Sequence, residues 1–168
     1  MKFSQSLDLA LHALWFMARN TSDQPVMIKD LARCMNASES YLARIMLGLT
    51  KAGILKSIRG KKGGFIFKTP PEQITIANVV TSIDNDTAEY TCSWEERNCD
   101  LFVGCALLNL FQEAKRQMLS VLSKMTIAEM VSMGDSATSG RAKWLIPTEE
   151  SLTEKTETQS DAPQRIVL

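Results

Sequence analysis

The sequence predicts a mainly α-helical fold with a small β-hairpin wing: a winged helix-turn-helix domain followed by a long dimerisation helix. Three observations carry this. Two short segments between residues 28 and 52 place apolar residues at helical spacing on either side of a polar turn. A basic, glycine-rich stretch, Gly60-Lys61-Lys62-Gly63-Gly64, then joins two short alternating segments. Further on, Leu107, Phe111, Ala114, Met118, Val121 and Met125 step by 4-3-4-3-4, the spacing that keeps one stripe against a partner helix.

Residues 3–19 form the first helix, with Leu7, Leu11, Leu14, Trp15 and Ala18 inward, and its apolarity calls for burial on more than one side. Residues 20–25 are a polar break. A second helix spans 28–35, burying Ile28, Leu31 and Ala32. Asn36-Ala37-Ser38 makes the turn, Ser38 is the N-cap of a third helix, and that helix buries Leu42, Ile45, Met46 and Leu49 before stopping at Gly53. Strands at 55–59 and 65–68 flank the glycine-rich turn, and Pro70-Pro71 ends the hairpin. A fourth helix covers 76–83 with Ile76, Val79, Val80 and Ile83 on one face. Residues 84–104 have no period, and 105–125 form the long helix, on which Leu108, Leu119 and Leu122 add a second apolar stripe for the helix's own domain. The division expected is 1–70 for the winged domain, 71–134 for the loop and dimerisation helix, and 135–168 for a flexible tail rich in Ser, Thr, Glu and Lys.

Net charge is zero over the 168 residues, yet the halves differ sharply. Residues 1–70 hold eleven Lys and Arg against four acids, a surplus of seven that the remainder cancels. A basic first half calls for a polyanion, and double-stranded promoter DNA fits a helix-turn-helix. A major groove admits one helix, so Ser40, Tyr41, Ala43, Arg44 and Lys51 are expected at base edges and phosphates, with Arg59, Lys61 and Lys62 of the wing on the backbone and Gly63 and Gly64 permitting close approach. One histidine and no nucleophile–base pair or phosphate cradle argue against an enzyme. The polar residues Gln5, Asp8 and His12 interrupt the opening apolar run, so no secretory leader is expected. No run approaches the roughly 18 apolar residues of a membrane span. A cytoplasmic setting follows, in which thiols stay reduced.

Three of the four cysteines, Cys92, Cys99 and Cys105, are spaced C-x6-C-x5-C, which returns to no common face of a helix or strand and so reads as soft-ligand spacing. Zinc sites commonly show C-x2–4-C pairs, absent here. Cys34 stands apart as a buried thiol. A carboxylate in an apolar helix is costly unless paired or ligating, which singles out Asp8; His12 lies one turn away and reads first as a core residue.

The runs Ser40-Tyr41-Leu42, Leu49-Thr50-Lys51-Ala52-Gly53-Ile54-Leu55, Ser57-Ile58-Arg59-Gly60-Lys61-Lys62-Gly63-Gly64-Phe65 and Ile76-Ala77-Asn78-Val79-Val80, the cysteine loop and Thr126-Ile127-Ala128-Glu129-Met130-Val131 together resemble the IscR/NsrR/RirA family of winged-helix regulators, the Rrf-type regulators, over residues 1 to about 134. The resemblance implies a homodimer with exchanged long helices on pseudo-palindromic DNA, and an iron–sulfur cluster on the three cysteines with a variable fourth ligand. The IscR branch takes that ligand from a histidine three residues past the last cysteine; here Leu108 stands there, so a 2Fe-2S cluster becomes the lesser expectation. The NsrR branch uses an aspartate of the first helix of the opposite subunit in a 4Fe-4S cluster, and Asp8 matches, with His12 as the alternative. The expected function is a repressor sensing iron, redox state or nitric oxide. A cluster-free thiol switch on the same fold is the competing expectation.

Overall fold

The computed structural model describes residues 3–20, 24–60, 62–84 and 105–137, with 135–137 by backbone alone. Among the described residues, six α-helices and one two-stranded hairpin run in the order α1 (Gln5–Arg19), α2 (Ile28–Met35), α3 (Glu39–Lys51), β1 (Leu55–Ile58), β2 (Gly64–Phe67), α4 (Ile76–Ile83), α5 (Ala106–Leu122) and α6 (Ile127–Ala137). A 3-10 turn at Pro71–Gln73 separates the hairpin from α4.

The first helix starts at Gln5, two residues later than its periodicity suggests, because Ser4 caps it: the Ser4 Oγ accepts the Leu7 N–H at 3.1 Å. It is the hub of the core and packs on α2, α3, α4 and α6. Leu7, Ala10, Ala13, Leu14, Phe16 and Met17 are buried, whereas Leu11, Trp15 and Ala18 are half-buried at the edge. Two alanines at zero exposure let neighbouring helices approach closely. One hydrophobic cluster reaches from Leu7 to Ile127, so α4 and α6 share the core of the winged domain.

The turn from α2 to α3 is made by Asn36 in the left-handed conformation (φ 48°), a place where asparagine is favoured. Ser38 stands at the N-cap of α3, but its hydroxyl makes no capping bond and instead pairs with Ser40 Oγ at 3.0 Å. All four predicted core residues of α3, Leu42, Ile45, Met46 and Leu49, are buried. The chain leaves α3 through Gly53 at φ 79°.

The hairpin is antiparallel, with Leu55 opposite Phe67 and Ile58 opposite Gly64. Val26 pairs with Phe65 as a third, one-residue rung, through Val26 N–H to Phe65 O and Phe65 N–H to Val26 O, both 2.9 Å. That rung explains Gly64, and the hairpin turn itself explains Gly63. A Cβ on Gly64 would lie 2.3 Å from Val26 O, and one on Gly63 the same distance from Ile58 O. Both are therefore required by backbone packing within the wing, whatever the wing later touches.

The long helix ends at Leu122, with Cys105 and Ser123 as its caps. Met125 is thus not on its seam: it lies in the extended link to α6, where its carbonyl accepts the Ile76 N–H at 2.9 Å, and Thr126 bridges to Thr75. The two apolar stripes separate. Leu119 and Leu122 pack on the core, while Leu107 (57 % exposed), Phe111 (42 %), Ala114 and Val121 (63 %) face outward and Met118 is half-buried. Thr126 and Glu129 form a reciprocal capping box on α6 (Thr126 N–H to Glu129 Oε2 2.8 Å, Glu129 N–H to Thr126 Oγ1 3.2 Å). That helix continues to Ala137, so the first residues assigned to a tail are helical.

Candidate nucleic-acid interface and metal-ligating residues

The outward stripe of α3 carries Ser40, Arg44, Leu47 and Lys51, spaced 4-3-4 and all exposed. Gly60, at φ 117°, turns the wing so that Arg59 and Lys62 are exposed at its tip; Lys61 lies outside the described residues. Ser40, Arg44 and Lys51 on α3 and Arg59 and Lys62 on the wing are thus presented to solvent.

Tyr41 differs. It is half-buried against the core, and its hydroxyl lies 2.6 Å from Ser6 Oγ on α1. The side chain placed at base edges by its position in the helix is instead a strut between α3 and α1. Ala43 is likewise half-buried. Ser6 carries no motif in the sequence, and only the proximity of the two helices gives it a role. Leu47 was also hidden: helical spacing puts it beside Arg44, but an apolar residue is read by default as core.

The first turn of α1 makes a second connection. Asp84, a buried carboxylate at the C-terminus of α4, accepts the Ser4 N–H at 2.8 Å and the Ser4 hydroxyl. Hydrogen bonds offset the cost of burying that charge. The last described residue before the cysteine segment is therefore fixed to the start of α1.

Asp8 and His12 are exposed, at 68 % and 60 % of their side-chain surface, not buried in the apolar face. The carboxylate is 3.3 Å from His12 Nδ1, which also lies 2.9 Å from the Asp8 carbonyl oxygen. Two expectations are corrected here: Asp8 is not stranded among apolar groups, and His12 is not a core histidine. Both sit at the rim of an apolar groove of about 710 Å³ between α1, α2 and α6, lined also by Trp15, Cys34, Met35 and Met130.

Cys105 is half-buried at the N-cap of α5 and its sulfur makes no capping hydrogen bond. Cys92 and Cys99 lie outside the described residues, and among those described no three His, Cys, Asp or Glu side chains converge on a metal position. The described part of the implied ligand set is one uncommitted thiol and an exposed carboxylate beside an imidazole. These donors suit iron, and the carboxylate and imidazole on α1 are open to solvent. Cys34 is a half-buried thiol whose proton is held more tightly than usual, first by burial and then by Asp30, with Arg33 opposing.

The Rrf2 family, described as "Iron-dependent Transcriptional regulator", matches residues 3–133. The chain is 30 % identical over 136 residues to an HTH-type transcriptional regulator NsrR of Bacillus licheniformis, covering 80 % of this chain and 95 % of that one. It is 27 % identical over 135 residues to IscR of Yersinia enterocolitica, covering 80 % and 82 %. Among solved structures it is similar to IscR of T. potens (TM-score 0.63, 23 % identity, 84 % of this chain and 94 % of that one) and to the global cysteine regulator CymR of B. subtilis (TM-score 0.60, 23 %, 79 % and 98 %).

Proposed function

The chain belongs to the Rrf2 family of transcriptional regulators, and from that premise we propose that it is a homodimeric, cytoplasmic repressor that reads promoter DNA and senses iron, redox state or nitric oxide through a 4Fe-4S cluster. The observation that carries the DNA half is the exposure of Ser40, Arg44 and Lys51 along one stripe of α3, with Arg59 and Lys62 exposed on the wing. Arg44 enters the major groove with α3, where its planar fork matches guanine; Lys51 and Lys62 hold phosphates; Arg59 reads from the wing. Tyr41 positions α3 from behind. No catalytic step belongs to this scheme.

For the sensing half, Cys92, Cys99 and Cys105 of one subunit hold the cluster and Asp8 of the other completes it, with His12 the alternative. When bound, the cluster supplies a centre that low iron strips, nitric oxide nitrosylates and oxidants degrade. The support is that Asp8 is exposed and reachable from outside its own subunit. The exposed α5 stripe of Leu107, Phe111, Ala114 and Val121, with Met118 beside it, forms the dimer seam.

Anaerobic purification with iron, sulfide and absorption measurements tests the cluster. A brown protein whose spectrum changes in Asp8→Ala and vanishes in Cys99→Ala is the expected result. A change confined to His12→Ala transfers the fourth ligand, and a colourless, iron-free protein leaves the thiol switch. Arg59→Ala should weaken operator binding by about 1–3 kcal/mol; an equal loss on random DNA reduces Arg59 to a phosphate contact.

A further inference from the structure

Leu47 is 51 % exposed, the only large apolar side chain of α3 that is. A single exposed leucine is ordinary on a protein surface. Its place is what matters here. It follows Arg44 by one turn and precedes Lys51 by one turn, on the stripe that also holds Ser40. The other exposed large hydrophobics among the described residues are Phe3, Leu107, Leu110, Phe111, Val121 and Met133, none of them on α3 or the wing. Leu47 is therefore an apolar point within a cationic face, not the edge of an apolar patch awaiting a protein.

DNA offers such a face one apolar counterpart in the major groove, the C5-methyl group of thymine, which sets T apart from every other base there. We infer that Leu47 is a specificity-determining residue that covers a thymine methyl next to the base read by Arg44. The inference rests on the DNA-reading proposal above and adds to it the base that α3 selects. It also follows from the turning-in of Tyr41, whose ring, packed on α1 through Ser6, no longer competes for that part of the groove. With Tyr41 withdrawn, Leu47 is the sole bulky apolar group that α3 presents.

The probe is the duplex that the wild-type protein itself enriches from a random double-stranded library, with each thymine replaced in turn by deoxyuridine, which removes the methyl and keeps the base pair. One thymine per half-site should lose roughly threefold to fivefold in wild-type affinity, the loss expected from uncovering one methyl group. Leu47→Ala should bind the thymine and deoxyuridine duplexes alike at that position. Leu47→Gln, repeated through the selection, should exchange thymine for adenine there. Because the side chain is exposed, both variants should melt with the wild type. If the wild type enriches a sequence but no thymine shows a Leu47-dependent methyl effect, this inference is overturned and the DNA-reading proposal stands. If the wild type enriches nothing, both fall.

Discussion

Val121 offers the clearest test of the proposed dimer seam. It lies near the C-terminal end of α5, sixteen residues beyond Cys105, so changing it leaves the cysteine segment alone. Burying a fully exposed valine is worth about 1.5 kcal/mol at the low end for apolar side chains. With 63 % of its surface exposed, Val121 has about 1 kcal/mol still to gain from a partner. An isologous interface counts each substitution twice, so Val121→Ala should weaken the dimer by about 2 kcal/mol, roughly thirtyfold in Kd. Val121→Asp adds the desolvation of two carboxylates and should leave monomers at micromolar concentration. Sedimentation equilibrium on the cluster-free protein reads both, and circular dichroism should show unchanged helix content because the residue touches little in its own subunit. An unaltered dimer constant in Val121→Asp, or a monomeric wild type, would refute the seam.

Other consequences follow from single contacts. Gly64→Ala forces a Cβ toward Val26 O at 2.3 Å and should cost about 1–3 kcal/mol in denaturant unfolding, while Gly60→Ala, with nothing within 4 Å, meets only the strain of its φ. Tyr41→Phe and Ser6→Ala should each cost about 0.5–1.5 kcal/mol, and the double variant no more than either, since both remove one hydrogen bond; additive losses would deny the strut. Cys34 should alkylate more slowly than a free thiol at neutral pH and accelerate only at higher pH, because burial keeps it protonated; peptide mass mapping of iodoacetamide-treated protein checks it.

Periodicity made most of the fold legible. The spans of α2 and α4 and the four buried positions of α3 follow from apolar spacing alone, as does the hairpin from its glycine-rich turn. Long-range pairing was not legible. Nothing local announces that Val26 bridges Phe65, so Gly64 reads as a ligand-approach residue when contact with Val26 already dictates it. Asp8 looked stranded because a linear sequence does not say which side of an apolar helix is left uncovered. Met125 kept the heptad step although α5 had already ended at Leu122, since spacing carries no signal for where a helix stops pairing. On the candidate interface, charge singles out Arg44 and Arg59, and both are exposed, but the outward turn of Leu47 and the inward turn of Tyr41 depend on where α1 lies behind α3.

The first turn of α1 joins these separate readings. Within five residues, Ser4 is bound to Asp84, Ser6 to Tyr41, and Asp8 to His12. Asp84 is where the chain leaves for the segment that carries Cys92 and Cys99, and Tyr41 is where α1 holds the helix proposed to read DNA. The orientation of α3 and the departure point of the cysteine segment are therefore referenced to the same short piece of backbone. Buried or half-buried hydrogen bonds of this kind fix position more than they add stability, because breaking one leaves a polar group without its partner in a poorly solvated place. A displacement of the α1 N-terminus by even part of a turn cannot satisfy these bonds with α3 and α4 unmoved. The coupling needs no extended chain of residues: three hydrogen bonds from two residues, the N-cap Ser4 and Ser6 two positions on, tie the pose of the helix proposed to read DNA to the end of α4.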